Sequence, residues 1–299
     1  MLTLNNVVKE YKNITAVNGI SAEIEPGKVF GLLGPNGAGK TTTIRMILNI
    51  IKPTSGQVLY NGNAISSDFF NISGYLPEER GLYKKSKVID IIKYFAMLKG
   101  LTSAEAETNA MTWLNRFDIA GYKTKKLEEL SKGNQQKIQF IIAVVHNPQI
   151  IIFDEPFSGF DPVNQELAAN AVIELAGEGK TIILSTHQMD TAEKLCGSIF
   201  LINKGKEVLS GSIAEIKKSY GTNKVRLEFT GGSEKIEKLP ALKSFEIFDN
   251  YAELTLEQDV NISEYIRTVA SEIDLKGFAL IEPSLHQIFI DTIGRGKEN

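Results

Sequence analysis

Hydrophobic positions recur along the chain with two different periods, and the two periods alternate. Residues 2–8 and 16–24 alternate apolar and polar side chains, as half-buried strands do, and Asn18-Gly19 indicates a turn or bulge between them. Residues 29–33 are continuously apolar, and so are residues 150–153 within the predicted strand 149–154, which indicates strands buried on both faces. Further strands are predicted at 57–60, 72–76, 181–185, 198–203 and 207–210. Because helical patterns separate many of these strands, the first part of the chain is predicted to form a three-layer α/β core with a mostly parallel sheet.

A helical block interrupts this alternation between about residues 86 and 147. Apolar side chains recur at helical spacing from Val88 onward, and Thr102 or Ser103 can cap a second helix. A third helix is predicted at 131–145, and no strand pattern intervenes. The block is therefore predicted to be a helical insertion into an α/β domain that spans residues 1–220.

The pattern changes again after residue 221. Strands are predicted at 225–229, 245–248, 252–256 and 277–281, and helices at 262–271 and 284–293. This order predicts a small ferredoxin-like α+β domain over residues 222–299. It contains no cluster of potential catalytic groups, so we expect an accessory or interaction domain.

Composition narrows the classes of function. The chain has 299 residues with a net charge of −3, which gives no sign of nucleic-acid binding, so we expect no nucleic-acid partner. Its single cysteine, Cys196, excludes an internal disulfide and favours a reducing compartment. No apolar run reaches the roughly 18 residues that cross a bilayer, and the N-terminus has no signal-peptide pattern. We therefore expect a cytoplasmic protein, unless a partner holds it at a membrane.

A glycine-rich turn lies between the buried strand at 29–33 and a helical pattern. It comprises Gly34, Pro35, Asn36, Gly37, Ala38 and Gly39, followed by Lys40, Thr41 and Thr42. Glycines allow backbone N–H groups to converge on an anion, and the N-terminus of the helix adds positive potential. Lys40 is placed to reach the β- and γ-phosphates of a nucleotide, and Thr41 is placed to bind Mg²⁺. A chance glycine-rich turn is the alternative, and the flanking strand and helix argue against it.

Two acidic residues close the other buried strand. Asp154 would hold Mg²⁺ directly or through water, and Glu155 would polarise a water molecule for attack on the γ-phosphate. The alternative is a pair of acids that solvate the end of a strand. Ser131 and Gly133 open a predicted helix, whose free N–H groups can bind an anion. An ordinary helix cap explains Ser131 equally well and is favoured when this feature is taken alone.

Five motifs together resemble those of ATP-binding-cassette (ABC) ATPase subunits. They are GPNGAGKTT (34–42), LSKGNQQ (130–136), IIIFDEP (150–156), SGFDP (158–162) and His187 after a buried strand, and they cover residues 1 to about 220. The resemblance implies a P-loop NTPase core with an antiparallel β subdomain. It also implies that ATP and Mg²⁺ bind between two subunits in a head-to-tail dimer.

The resemblance further assigns roles at matching positions. Ser131 and Gly133 would bind the γ-phosphate of the ATP held by the other subunit, Asp161 would lie at the interface, and His187 would contact the γ-phosphate. Tyr11 resembles the aromatic residue that stacks on adenine. Without the resemblance, a lone tyrosine at a strand end is more often a core residue, and a histidine there is more often a satisfied polar residue.

The chain departs from the family pattern in two places. Lys132 and Asn134 replace a glycine and a glutamine of the commonest signature, LSGGQ. Glu78 stands where the family usually has glutamine; its carboxylate can still meet Mg²⁺ or its water, but it adds negative charge beside the phosphates. The stretch 74–83 and the form LSKGNQQK resemble exporter ATPases of the sodium-extrusion (NatA-like) and multidrug/bacitracin type.

These features predict an ATPase that couples ATP binding and hydrolysis to export through a separate polytopic membrane permease, with sodium ions or drugs as candidate cargo. The second ATPase subunit would be another copy of the chain, and the permease would hold the dimer on the inner face of the cell membrane. A groove between the helical block and the Glu78 segment would receive a permease helix. The alternative is a soluble ABC ATPase without a transport role. A GTPase is disfavoured because the segment 203–206 lacks the aspartate of a guanine motif.

Overall fold

The structure, a computed structural model, describes residues 1–79, 81–220, 224–257 and 260–295. The chain divides into two compact units, Met1–Ile213 and Ala214–Asn299. The first unit therefore ends a few residues before the boundary at 220 that the sequence predicts. Among the described residues, no helix is both long enough and apolar enough to cross a membrane.

The first unit contains ten strands and seven α-helices among its described residues. The strands are β1 (Leu2–Tyr11), β2 (Ile14–Ile24), β3 (Val29–Leu33), β4 (Ser55–Tyr60), β5 (Asn63–Ala64), β6 (Ser73–Leu76), β7 (Ile150–Asp154), β8 (Thr181–Thr186), β9 (Ser198–Asn203) and β10 (Lys206–Ser212). The helices are α1 (Lys40–Ile47), α2 (Phe69–Ile72), α3 (Val88–Leu98), α4 (Ser103–Arg116), α5 (Lys132–Val144), α6 (Pro162–Gly177) and α7 (Met189–Leu195). Helix α8 (Ile213–Tyr220) follows at the boundary.

A six-stranded sheet with the order β10-β9-β3-β8-β7-β6 forms the centre of the unit. All neighbours pair in parallel except the edge strand β10, which is antiparallel to β9. Every residue of β3 and β7 is buried, because neither strand has a face free of packing. The α/β architecture with a parallel sheet is therefore as predicted.

A separate antiparallel sheet has the order β2-β1-β4-β5. Helix α1 packs between the two sheets, and its apolar residues share one core with both. The turn between β1 and β2 lies at Lys12-Asn13, not at Asn18-Gly19. Asn18-Gly19 forms a bulge inside β2, where Gly19 has a φ of 71° and the pairing with β1 shifts by one residue.

The predicted helical block consists of α3, α4 and α5, which pack against one another. Thr102 caps α4 through a capping box with Glu105, and Ser131 caps α5 by accepting from the Asn134 N–H. The aromatic rings of Trp113, Phe117 and Phe140 contact one another in the core of the block.

The second unit has a four-stranded antiparallel sheet. Its elements are β11 (Lys224–Phe229), β12 (Leu242–Ile247), β13 (Tyr251–Leu256), α9 (Ile262–Glu272), β14 (Leu275–Ile281) and α10 (Leu285–Arg295). The strand order β12-β13-β11-β14 is that of a ferredoxin-like domain, in which a 3₁₀ segment, Ser233–Lys238, takes the place of the first helix. Helix α9 covers one face of the sheet, where Tyr265 and Val269 join the core.

Candidate active site

The predicted site residues meet at one edge of the parallel sheet. Strands β3, β6, β7 and β8 run in the same direction, so their carboxyl ends lie side by side. The glycine-rich loop follows β3, Asp154 and Glu155 end β7, and His187 follows β8. This is the edge where open parallel sheets bind their ligands.

The phosphate loop owes its shape to backbone positions that only glycine can occupy. Gly34 has a φ of 150°, and a Cβ there would lie 2.1 Å from the carbonyl oxygen of Ile202. Gly39 has a φ of 113°, and a Cβ there would lie 2.6 Å from the carbonyl oxygen of Ala16. Neighbouring strands thus hold the loop against α1 in a conformation that presents backbone N–H groups.

Lys40 is buried within this loop. Its Nζ donates to the carbonyl oxygens of Gly34 and Pro35 over 2.7 and 3.3 Å, and it lies 4.0 Å from Glu155 Oε1. The buried ammonium group therefore has a carboxylate and two carbonyl groups around it. Ala38, Asn36 and Gly37 complete the turn, and Thr42 follows in the first turn of α1, where it is half-buried.

Thr41 and Asp154 bring a hydroxyl and a carboxylate together. Thr41 Oγ1 donates to Asp154 Oδ2 over 3.2 Å. Asp154 Oδ1 is buried and has no hydrogen-bond partner among the described residues. Burial raises the pKa of Asp154; the neighbouring hydroxyl groups of Ser185 and Thr41 oppose this rise, and the negative charges of Glu78 and Glu155 add to it. A buried carboxylate with a free oxygen beside a hydroxyl fits the oxygen ligands of Mg²⁺, which keeps most of its waters. Accordingly, the described residues contain no cluster of three or more His, Cys, Asp and Glu that could hold a metal ion unaided.

Glu155 is held in a strained and well-defined conformation. Its φ is 50°, in the left-handed region, and its N–H donates to the Ser185 carbonyl over 2.9 Å. Oε1 accepts from the backbone N–H of His187 over 3.0 Å and from its Nδ1 over 2.7 Å. Oε2 accepts from Thr186 Oγ1 over 3.2 Å. These donors fix both carboxylate oxygens at the end of β7.

His187 has one nitrogen engaged and one available. Nδ1 donates to Glu155, and Nε2 has no hydrogen-bond partner among the described residues. The side chain is 51% exposed, so the ring stands at the rim of the site and not in the core.

Tyr11 and Glu78 lie at the surface. Tyr11 ends β1 and is 45% exposed, and Lys9 Nζ lies 5.2 Å from its ring centre. The expectation that a lone tyrosine there would be a core residue is therefore wrong. Glu78 follows β6, is exposed, and is close enough to Asp154 for its charge to raise the Asp154 pKa.

Three predicted residues lie apart from this constellation. Ser131 Oγ accepts from the Asn134 N–H. Among the described residues, no hydrogen bond joins Ser131 or Gly133 to the phosphate loop. Asp161 caps α6 by accepting from the Asn164 N–H over 2.9 Å, and this hydrogen bond lowers its pKa. Ser131 and Asp161 are the N-caps of α5 and α6 within one chain, and Gly133 lies in the first turn of α5.

Two residues of the site were not predicted. Thr186 orients Glu155. Its position at the end of a buried strand, directly before His187, is the sequence feature that could have indicated this role. Gln136 is buried on α5, and its Nε2 donates to the Pro156 carbonyl over 3.2 Å. The sequence pattern does not indicate this contact, because Gln136 and Pro156 are twenty residues apart in the chain.

A groove lies in the same unit, between the helical block and the segment after β6. It encloses about 310 Å³ and is lined mainly by apolar side chains, among them Phe70, Leu82, Leu98 and Ile142. Lys99 also lines it, and burial lowers the pKa of this lysine to about 8. The groove predicted between the helical block and the Glu78 segment is therefore present.

Comparisons with known proteins agree with this geometry. A family described as "ABC transporter" matches residues 17–158, and one described as "ATP-binding protein DrrA1-3-like, C-terminal domain" matches residues 211–293. The chain is 43% identical over 294 residues to an uncharacterized ABC transporter ATP-binding protein, YhaQ, of Bacillus subtilis, covering 98% of this chain and 99% of that one. It is 30% identical to the linearmycin resistance ATP-binding protein LnrL of the same organism, covering 99% of each chain.

Two solved structures have a similar fold. One, an ATP-binding subunit of an ABC transporter, has a TM-score of 0.69 and 28% identity, and the match covers 74% of this chain and 93% of that one. The other, a dimeric ATP-binding cassette in a post-hydrolysis state bound to ADP and Pi, has a TM-score of 0.66 and 23% identity, with 71% and 99% covered.

Proposed function

Because the chain belongs to the ABC transporter ATP-binding subunits and is an ATPase, we propose that it works as a homodimer which drives export through a separate polytopic permease. The observation that carries the ATPase site is the convergence of Lys40, Thr41, Asp154 and Glu155 at the carboxyl edge of one parallel sheet. The exporter assignment is supported by the names of relatives, which include LnrL and, at 31% identity over 73% of this chain and 92% of its own, NatA of Bacillus subtilis. The names given above are all of transporter subunits and do not favour a soluble, non-transport ATPase.

In this proposal the phosphate loop, 34–42, binds the triphosphate of ATP. Its backbone N–H groups and the Lys40 ammonium neutralise the β- and γ-phosphates, and Lys40 exchanges its two carbonyl partners for phosphate oxygens. Tyr11, exposed at the end of β1, stacks on the adenine ring. Thr41 and Asp154 hold Mg²⁺, with Glu78 near them, and this ion would neutralise charge that develops on the phosphates.

Glu155 is the proposed general base. Its carboxylate is fixed by His187 and Thr186, so it can orient a water molecule and accept the proton from it. His187 presents its Nε2 at the rim of the site, where it can contact the γ-phosphate directly or through water.

The remaining residues act across the proposed dimer. Ser131 and Gly133 stand at the start of α5 and offer free N–H groups, but they lack contact with the phosphate loop of their own chain. A second copy placed head to tail would bring them onto the γ-phosphate of the ATP in the opposite site, with Asp161 at the interface. The active unit would therefore be the dimer.

The apolar groove is the proposed docking site for the permease. An exposed apolar groove beside a charged surface is a feature of protein-interaction sites. A helix of the permease with an apolar face would cover Leu98 and Ile142. This contact would place the chain on the inner face of the cell membrane.

The docking proposal is tested by Leu98→Glu with Met97→Glu as its matched control. The two side chains are neighbours on α3 and are 49% and 48% exposed, but only Leu98 lines the groove. A tagged chain is expressed, membranes are solubilised in detergent, and the membrane protein that co-purifies is identified. We expect a polytopic protein with the wild type and Met97→Glu, and its loss with Leu98→Glu at unchanged basal ATPase rate. A chain found only in soluble complexes, or equal behaviour of both variants, would contradict the proposal.

A further inference from the structure

Helix α5 is tied to the segment that follows Glu155 by a buried side chain. Gln136 is 2% exposed, and its Nε2 donates to the Pro156 carbonyl over 3.2 Å. Water cannot reach this buried hydrogen bond, so without Gln136 the Pro156 carbonyl would have no partner. Leaving a buried carbonyl without a partner costs free energy of folding. The orientation of the Pro156 peptide therefore depends on α5.

That peptide is separated from Glu155 by a single residue, Pro156. Glu155 has a φ of 50°, and the ring of Pro156 fixes the next φ, so only the ψ angles of Glu155 and Pro156 can turn between the Glu155 Cα and the Pro156 carbonyl. Gln136 holds this carbonyl on one side, and the Ser185 carbonyl holds the Glu155 N–H on the other. A strained residue keeps its conformation only while such restraints persist.

Two further contacts align α5 with the same segment. At its start, a Cβ added to Gly133 would lie 3.8 Å from the Gly159 carbonyl oxygen, so the two backbones approach closely. One turn after Gln136, Phe140 stacks on Phe153 with ring centres 4.8 Å apart and an angle of 13° between the rings. Helix α5 therefore approaches β7 and the segment after it at three positions, Gly133, Gln136 and Phe140.

We infer that Gln136 is a positioning residue, which links the start of α5 to the placement of the Glu155 base in the same chain. The inference rests on the proposed dimer, in which Ser131 and Gly133 bind the ATP of the other copy. Gln136 lies one helical turn beyond Gly133, so a movement of the helix start toward a phosphate reaches Pro156 through one shielded bond. ATP in one site would thereby set the base of the other.

Lys137 supplies a matched control from the next position of the same helix. It is also buried, and its Nζ donates to a backbone carbonyl, that of Phe117, over 3.0 Å. Phe117 belongs to the helical block, and the bond does not reach the segment after Glu155. Lys137→Met and Gln136→Met each remove a buried side-chain hydrogen bond to a backbone carbonyl, with a charge also lost in Lys137→Met, and only the Gln136 change frees Pro156.

The test compares both variants with the wild type in steady-state ATP hydrolysis, thermal unfolding and equilibrium binding of a fluorescent ATP analogue. We expect both variants to unfold at lower temperature than the wild type. Only Gln136→Met should lower kcat, by about 10- to 100-fold, because a small misplacement of a catalytic group has an effect of that order. KM and analogue affinity should stay unchanged, and the Hill coefficient for ATP should fall toward that of independent sites.

Equal kcat for Gln136→Met and Lys137→Met would overturn the inference. Gln136→Leu is judged by the same comparison if the methionine variant does not fold. Failure of the proposed dimer has a different signature: the wild type itself would hydrolyse ATP without cooperativity, and Glu155→Gln with ATP would remain monomeric by light scattering.

Discussion

Replacing Glu155 by glutamine removes the proposed base while conserving the shape of the site. In the wild type, Oε1 accepts two hydrogen bonds from His187, and Oε2 accepts one from Thr186. A glutamine can keep Oε1 toward His187, and its Nε2 can donate to the Thr186 hydroxyl, which is able to accept. The hydrogen bonds are therefore conserved in number, and we expect Tm to change little.

The rate should change far more than the stability. General-base catalysis contributes about 10²- to 10⁴-fold, and we expect kcat to fall by that factor, or by about 3 to 5 kcal/mol in transition-state stabilisation. ATP binding should persist, because the change removes a negative charge 4.0 Å from the Lys40 ammonium and none of the loop's N–H donors. ATP-bound subunits should then accumulate as dimers.

Three measurements on one preparation of Glu155→Gln test whether Glu155 is the general base. Phosphate release is followed at saturating ATP and Mg²⁺, affinity is measured with a fluorescent ATP analogue, and molar mass is measured by light scattering with and without ATP. Hydrolysis at the wild-type rate would show that Glu155 is not the base. Loss of analogue binding would show that the residue serves nucleotide affinity, and the assignment of a proton-accepting role would then be withdrawn.

Four further outcomes are expected. Lys40→Ala should abolish binding of the ATP analogue, and normal turnover in this variant would contradict the phosphate-site assignment. Thr186→Val should lower kcat by about tenfold and also lower Tm, because it removes the hydrogen bonds of a buried hydroxyl to the Glu155 carboxylate and to the Gln188 N–H. An unchanged kcat would show that His187 suffices to orient that carboxylate. Burial lowers the pKa of His146 to about 4, whereas this side chain in the unfolded chain binds its proton near pH 6.5. The free energy of unfolding should therefore decrease by about 3 kcal/mol as the pH falls from 6.5 to 4. Urea unfolding of His146→Gln should lack this contribution. Deletion of residues 222–299 should leave a folded, ATP-binding fragment, as circular dichroism and analogue binding would report, and aggregation would indicate that the units depend on each other.

The parts of the site that can be predicted from the sequence are the residues that directly follow a buried strand in the chain. A continuously apolar strand must be buried, and the residue after such a strand must emerge at the sheet edge. The loop 34–39 and the pair Asp154 and Glu155 each follow such a strand, so their convergence could be predicted from two short stretches of sequence.

Contacts between distant parts of the chain were not predictable in this way. The bond between Gln136 and Pro156 depends on how α5 crosses the end of β7, and a buried glutamine in a helix has no periodicity of its own. The turn between β1 and β2 was misplaced because Asn18-Gly19 has the composition of a turn, but the sheet accommodates it as a bulge. The exposure of Tyr11 could not be predicted from its position alone, since the end of a β-strand does not reveal which side chains face solvent.

The aromatic contacts of the helical block give the chain an optical probe of its own. Trp113 is the single tryptophan of the sequence, and its ring centre lies 6.1 Å from that of Phe117 on the same side of the block and 6.2 Å from that of Phe140 on α5. A rotation of α5 relative to α4 changes the surroundings of the indole, whereas rigid movement of the whole block leaves them intact. The emission spectrum of the unlabelled protein can therefore distinguish these two motions as nucleotide binds.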